Sequence, residues 1–183
     1  MNMVLNVTDK IKLRSIRSSD AELVYDAIDR NKVYLSRWLP FVKNLTLEAE
    51  SEFISFVLSV PVEIRSHVFI IEVENKFAGF VGFSHADYIN RKIEIGYWLL
   101  PEYQGKGIMT GSVRAVTNWA VNMLGIKRIA ICCAVGNKES NAIPKRLGFK
   151  FEGVQRCGEL LASEEYADIN VYSFISGRDE PIR

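Results

Sequence analysis

Ile93-Glu94-Ile95-Gly96-Tyr97-Trp98-Leu99-Leu100-Pro101-Glu102-Tyr103-Gln104-Gly105-Lys106-Gly107-Ile108-Met109-Thr110 decides how the chain is read. It has the form of a β-strand, a turn with two glycines, and the start of a long helix. Backbone N–H groups at a helix start lack partners and carry partial positive charge, so such a turn can wrap a phosphate. Read alone, it is equally a tight turn. It is not a Walker loop, because no second glycine followed by Lys-Ser/Thr stands at the required distance. Nor does it fit the dinucleotide fingerprint, which needs a third glycine and an acidic residue after the next strand.

Downstream of the glycines, Met109, Val113, Val116, Ala120 and Met123 recur at helical spacing and predict one face laid on a sheet, with Gly125 closing the helix. Residues 127–135 form a continuous apolar run, as in a strand buried on both faces. Strand, helix, strand in this order makes a right-handed crossover, so the two strands run parallel. Residues 137–147 predict a shorter helix ended by Gly148, in which Pro144 lacks an N–H and predicts a distorted first turn. Two further strands are expected at 149–156 and 169–176.

Upstream, residues 10–16 alternate as a half-buried strand. Ser19 and Glu22 have capping-box spacing ahead of a helix carrying Leu23, Ala27 and Ile28. A short helix over 32–39 stops at Pro40. Thr46 caps another that carries Glu48 and Glu50 in its first turn, then Phe53, Ile54, Val57 and Leu58, and ends at Pro61. Strands 67–74 and 77–85 are joined by a hairpin at Glu74-Asn75-Lys76, and a looser turn over 88–91 leads into the opening stretch.

The chain has 183 residues, 48% hydrophobic and 25% charged, with a formal net charge of +1, the composition of an ordinary globular domain. Its mixed charges give no argument for a nucleic-acid or membrane partner. No run approaches the roughly 20 apolar residues of a membrane span. Cys132, Cys133 and Cys157 are odd in number and lack metal-ligand spacing, so no metal is expected and a reduced, cytoplasmic setting fits. His85, alone at a strand end, reads as a surface residue. Cys132 and Cys133, adjacent in a strand, point to opposite faces and read as packing residues.

A second element lies downstream: Asn137-Lys138-Glu139-Ser140-Asn141 follows the buried strand and opens the helix that ends at Leu147-Gly148-Phe149. Together with the loop of residues 104–109, it resembles the GNAT superfamily of acetyl-CoA-dependent N-acetyltransferases. The wording from Ile95 to Thr110 resembles the RimJ/RimL type, which acetylates α-amino groups of ribosomal proteins; Met109, where the wider superfamily has Gly or Ala, is usual in that type. The resemblance covers nearly the whole chain. It implies an α/β (α+β) fold, with one domain over 1–183 and a core at about 10–176. The central sheet would be mixed, of about seven strands with helices on both faces, antiparallel in its N-terminal half, and one parallel pair would be splayed around the cofactor.

The resemblance also assigns roles. Gln104, Gly105, Lys106, Gly107, Ile108, Met109 and Thr110 would form the loop whose amides hold the acetyl-CoA pyrophosphate. Leu99 N–H would face the thioester oxygen, and Asn137 would bind the pantetheine arm. Ser140 would give a proton to the departing thiolate, although its hydroxyl also suits a helix cap. Glu159, in Cys157-Gly158-Glu159-Leu160-Leu161, stands where RimL-like enzymes place a catalytic Glu. Glu94, alternating with Ile93 and Ile95 on the strand leading to the loop, is the competing base. The acceptor would be a protein α-amino group, whose pKa of about 8 asks little of a carboxylate; the alternatives are a small amine or a non-catalytic acyl-CoA-binding protein. Trp38, Leu39, Pro40 and Phe41 could line the acceptor groove or close the core. A homodimer is implied by the resemblance alone.

Overall fold

The computed structural model describes residues 3–182. The strands are β1 (Val4–Asn6), β2 (Ile11–Ser15), β3 (Val68–Val73), β4 (Lys76–Asp87), β5 (Lys92–Leu99), β6 (Arg128–Ala134), β7 (Lys150–Leu160) and β8 (Tyr166–Ile175). They form one eight-stranded sheet in the order β1-β2-β3-β4-β5-β6-β8-β7. Every neighbouring pair is antiparallel except β5 and β6, the parallel pair expected from the crossover. The eighth strand is β1, outside the expected core; with three residues it is too short to carry an alternation pattern. β7 and β8 also begin or end beyond the expected ranges, so Glu159 lies within a strand instead of after one.

The helices are α1 (Ala21–Arg30), α2 (Lys32–Leu35), α3 (Leu47–Ser59), α4 (Ile108–Leu124) and α5 (Lys138–Arg146). One sheet face packs Phe69, Ile71, Val81, Ile95 and Leu99 against α4 and α5. The other packs Ile70 and Trp98 against Val24 and Ile28 of α1 and Ile54 and Val57 of α3. Among the described residues no helix is long and apolar enough to cross a membrane.

Local chemistry explains most boundaries. Glu74 and Asn75 both have positive φ, 49° and 64°, the backbone of a type I′ hairpin turn. Thr46 caps α3, its hydroxyl accepting from Ala49 N–H at 3.2 Å. Gly125 takes the left-handed conformation and lets Ile126 N–H reach the Ala120 carbonyl, which closes α4. Met109, Val113, Val116 and Ala120 are buried as expected, but Met123, one turn further, is 72% exposed, so it does not share the buried face.

Two further expectations fail for identifiable reasons. The Ser19/Glu22 capping box is absent because a 3-10 turn (Ser18–Asp20) precedes α1 and Asp20 takes over the role. The Asp20 carboxylate accepts from Arg17 N–H at 2.7 Å and from Arg14 Nη1 and Nη2 at 2.8 and 2.9 Å, while Arg14 Nε donates to Glu72 at 2.7 Å. β6, expected to be buried on both faces, alternates between buried and half-buried residues. Its wrapped face holds Ile129, Ile131 and Cys133; the other face carries Cys132, beside Glu94.

Two buried titratable groups oppose each other in pH. The His67 ring is wedged edge-on against Trp119 and Phe83, and burial lowers its pKa from the usual 6.5 to about 4. Burial of Glu50, whose Oε1 lacks a partner among the described residues, raises that carboxyl from 4.5 to about 7. His67 therefore removes stability as pH falls from 6.5 towards 4, whereas Glu50 removes it as pH rises from 4.5 through 7. In thermal unfolding, Glu50→Gln gains stability relative to the parent chain between pH 4.5 and pH 7.5, by on the order of 3 kcal/mol. A gap that stays constant over that range refutes the buried-carboxyl account.

Candidate active site

β5 is bonded along its length to β4, and β6 along its length to β8. Between themselves β5 and β6 pair only at Lys92, Ile93 and Glu94 with Arg128, Ile129 and Ala130. Beyond that point the two strands part, and a gap opens with backbone on both sides. Leu100 N–H donates to the Ala78 carbonyl at 2.8 Å. Neighbouring residues of an antiparallel ladder direct their N–H groups to alternate sides, so Leu99 N–H, and Tyr97 N–H two residues earlier, point away from β4 into the gap.

At the end of β5 the loop turns into α4. Gly105 and Gly107 have φ of +70° and +73°, which side chains resist, and a Cβ at either would meet nothing within 4 Å. α4 opens with no side-chain cap. The amides of residues 105–110 donate to no other group among the described residues, so a 17-residue helix presents its free N–H groups to open space. Ile108 and Met109 bury their side chains beneath the loop and hold it down. Gln104 donates through Nε2 to the Tyr34 hydroxyl on α2, and Lys106 Nζ turns back to the Glu102 carbonyl at 2.8 Å.

On the other side of the gap, β6 leads through Gly136 to α5. The cap of α5 is Asn137, whose Oδ1 accepts from Ser140 N–H at 3.1 Å, so Ser140 is the third residue of the helix and not its cap. The first turn is regular: Asn141 N–H bonds to the Asn137 carbonyl at 3.0 Å, and Pro144 falls one turn later than its expected effect. Ser140 Oγ is thereby free for other contacts. It lies 3.2 Å from the Tyr97 hydroxyl and 3.1 Å from Cys133 Sγ. Burial raises the Tyr97 phenol well above its ordinary value and also raises the Cys133 thiol.

Neither carboxylate touches Ser140. Glu94 alternates to the opposite sheet face, where its carboxylate accepts from Ser84 Oγ at 3.0 Å and Cys132 Sγ at 3.4 Å. Burial and that carboxylate push the Cys132 thiol up to about 12. Glu159 is exposed on the outermost strand, just past a bulge between Gln155 and Glu159 where Cys157 has φ of 50°. It pairs with Ala167, next to Asp168, whose carbonyl accepts from Val135 N–H at the exit of β6. Glu159 thus stands at the sheet end where the gap opens, two strands away. Trp38 reaches Gly136, where a Cβ would come within 3.2 Å of its ring, and Phe41 is 49% exposed. An open depression of about 360 Å³ between α2 and the turn joining β7 to β8 is lined by Lys32, Ser36, Arg37, Lys43, Ala162 and Ser163.

Tyr97 and Asn141 are the residues that sequence reasoning did not single out. Asn141 is 4% exposed and uses its whole amide: Nδ2 donates to the Ala134 and Asn137 carbonyls at 2.8 and 2.7 Å, and Oδ1 accepts from Asn170 Nδ2 and the Tyr172 hydroxyl at 2.7 and 3.0 Å. It pins α5 to β6 and β8. The available signal was Pro144, four residues after Ser140, which leaves the serine carbonyl in search of a donor.

Comparison with known proteins gives a consistent picture. Residues 10–150 match the acetyltransferase (GNAT) domain family. The chain is 34% identical over 176 residues to YdaF of Bacillus subtilis (strain 168), named as a candidate ribosomal N-acetyltransferase, across 92% of this chain and 93% of that protein. Among solved structures, RimL, a ribosomal L7/L12 alpha-N-protein acetyltransferase in complex with coenzyme A, superposes with a TM-score of 0.88 at 28% identity over 94% of this chain and 98% of its own. The microcin C7 self-immunity acetyltransferase MccE, in complex with acetyl-CoA and AMP, gives 0.85 at 32% identity over 92% and 94%.

If Asn141 is the pin of α5, Asn141→Ala lowers the unfolding free energy in urea titration by about 2–4 kcal/mol, since it strands buried groups on three elements. Asn141→Asp, which keeps the size but sets carboxylate oxygen against two carbonyls, loses a comparable amount. An unchanged urea midpoint for either variant would remove that role.

Proposed function

The chain belongs to the GNAT acetyltransferase family, and on that premise we propose that it transfers acetyl from acetyl-CoA to the α-amino group of a ribosomal protein, directly, in a ternary complex. The observation that carries the reading is the gap between β5 and β6, with the free amides of α4 at one end and Ser140 Oγ between its two strands.

The residues suit such a donor. A pyrophosphate fits the open space over Gly105 and Gly107, where the amides of Gly105, Gly107, Met109 and Thr110 supply hydrogen bonds and the helix supplies partial charge. An extended pantetheine arm can pair with backbone left unbonded where the strands part, and Asn137, whose Oδ1 is taken by Ser140 N–H, has Nδ2 left to donate to that arm. Leu99 N–H then meets the thioester oxygen and stabilises the charge that develops there.

Glu159 is the base we favour. It is exposed at the sheet end where the gap opens, two strands over, from where a water can carry the proton of an incoming ammonium to it, whereas Glu94 is already engaged by Ser84 and Cys132. Ser140 Oγ–H delivers a proton to the departing thiolate, and the proton taken from the amine returns to the serine through solvent. Direct transfer accords with the cysteines, since a thiol raised to about 12 at Cys132 and a raised, buried thiol at Cys133 are poor nucleophiles at neutral pH. A small amine is the second reading, favoured by the likeness, at 22% identity over 143 residues, to the spermidine N(1)-acetyltransferase of Escherichia coli (strain K12).

The test is release of CoA from acetyl-CoA with N-terminal peptides of ribosomal proteins beside a panel of polyamines and amino acids. Ribosomal peptides turn over fastest; a preference for small amines supports the second reading, and binding without turnover on any acceptor defeats both. Ser140→Ala and Glu159→Gln each lower kcat on the order of 10²-fold or more, and Glu94→Gln lowers it less. Gly107→Ala costs about 1 kcal/mol of stability through its φ alone. In calorimetry it also weakens acetyl-CoA binding by about tenfold, because its Cβ intrudes where phosphate sits; unchanged affinity would argue against the loop as the phosphate site.

A further inference from the structure

In a regular helix the N–H of each residue bonds to the carbonyl four residues before it, and Pro144 has no N–H. The carbonyl of Ser140 is therefore released from the α5 ladder. Across the gap the Tyr97 hydroxyl donates to it at 3.0 Å. A phenol has one proton, so with that proton committed, the 3.2 Å contact between Tyr97 and Ser140 Oγ has the serine as donor. Ser140 then accepts from Cys133 at 3.1 Å. One directed chain results: Cys133 S–H to Ser140 Oγ–H, to Tyr97 O–H, to the Ser140 carbonyl. Tyr97 stands on β5 and Cys133 on β6, so the serine hydroxyl is held between the two strands that part.

We propose that Tyr97 and Pro144 together form a positioning device for Ser140. The proline vacates the serine's carbonyl, the tyrosine occupies it, and the same tyrosine oxygen holds Ser140 Oγ at the gap, keeping the serine proton until a thiolate forms to take it. The inference rests on the reading of Ser140 as the group that faces the thioester sulfur. Two bonds to one residue, at carbonyl and at hydroxyl, fix where Oγ sits; when the thiolate forms, the serine O–H leaves the Tyr97 oxygen and turns to the sulfur, while the Tyr97 O–H stays on the carbonyl and keeps Oγ within reach. Burial keeps the Tyr97 phenol protonated at any working pH, so it serves as a fixed donor and acceptor and not as an acid.

The test separates positioning from mere satisfaction of a stranded carbonyl. Tyr97→Phe lowers kcat about tenfold and leaves KM for acetyl-CoA within about twofold, as expected for lost alignment after binding. Adding Pro144→Ala to Tyr97→Phe returns an amide N–H to the Ser140 carbonyl, so the Tm lost by Tyr97→Phe recovers while kcat stays low. Recovery of kcat together with Tm overturns the proposal. Tyr97→Phe combined with Ser140→Ala is no slower than Ser140→Ala alone, because the two act through one hydroxyl; an additive further loss overturns it too. If Ser140→Ala turns over like the parent chain, or the parent chain turns over no amine, the acetyl-transfer reading and this inference fall together. If Ser140→Ala is slow and Tyr97→Phe is not, this inference falls alone.

Discussion

Everything in the site follows from one backbone constraint. Each strand has two hydrogen-bonding edges, and β5 and β6 are each fully engaged on one edge, with β4 and β8 respectively. On their shared edge only the first three residues pair. The remaining N–H and C=O groups face each other across a space too wide for bonding, and such groups are costly if buried without partners. The fold thus carries an unsatisfied edge by construction. Its other features, the free end of α4 and the polar pinning of α5, surround that edge.

α5 is held unusually for a nine-residue helix. Its buried residues are Asn141, Ile143 and Pro144, a small apolar contribution. Directional bonds do the fixing instead: Asn137 caps the first turn, Asn141 ties the helix to β6 and β8, and Tyr97 ties it to β5. Apolar burial resists sliding weakly, because it is roughly proportional to area and has no direction. A satisfied polar network specifies position as well as attachment. Ser140 lies between these anchors, with its own main chain among the bonded groups.

Much of this was legible in the sequence, and the division is physical. α4, the hairpin at Glu74-Asn75-Lys76 and the parallel pair rest on local signals: apolar spacing, turn residues and connection handedness. The glycine loop and Asn137 were legible as a pattern. What escaped depended on register between distant segments. Tyr97 reads as one more aromatic on a strand until α5 is seen to present Ser140 to it. Asn141 reads as a surface asparagine until Asn170 and Tyr172 are brought beside it. Pro144 was recognised as awkward, but its effect was placed in the wrong turn, because the start of α5 is set by the Asn137 cap. Met123 fits the helical period but is left exposed near the end of α4.

The bulges of β7 carry a further consequence. This strand forms an outer edge of the sheet, and an exposed edge of eleven residues is a template on which a stray strand could add. Its register shifts between Phe151 and Gly153 and again between Gln155 and Glu159, and Cys157 is turned into the left-handed region. No straight ladder can form against such an edge. The irregularity beside Glu159 is of the kind that blunts a sheet edge against strand addition, so smoothing this strand to make it more regular would cost solubility.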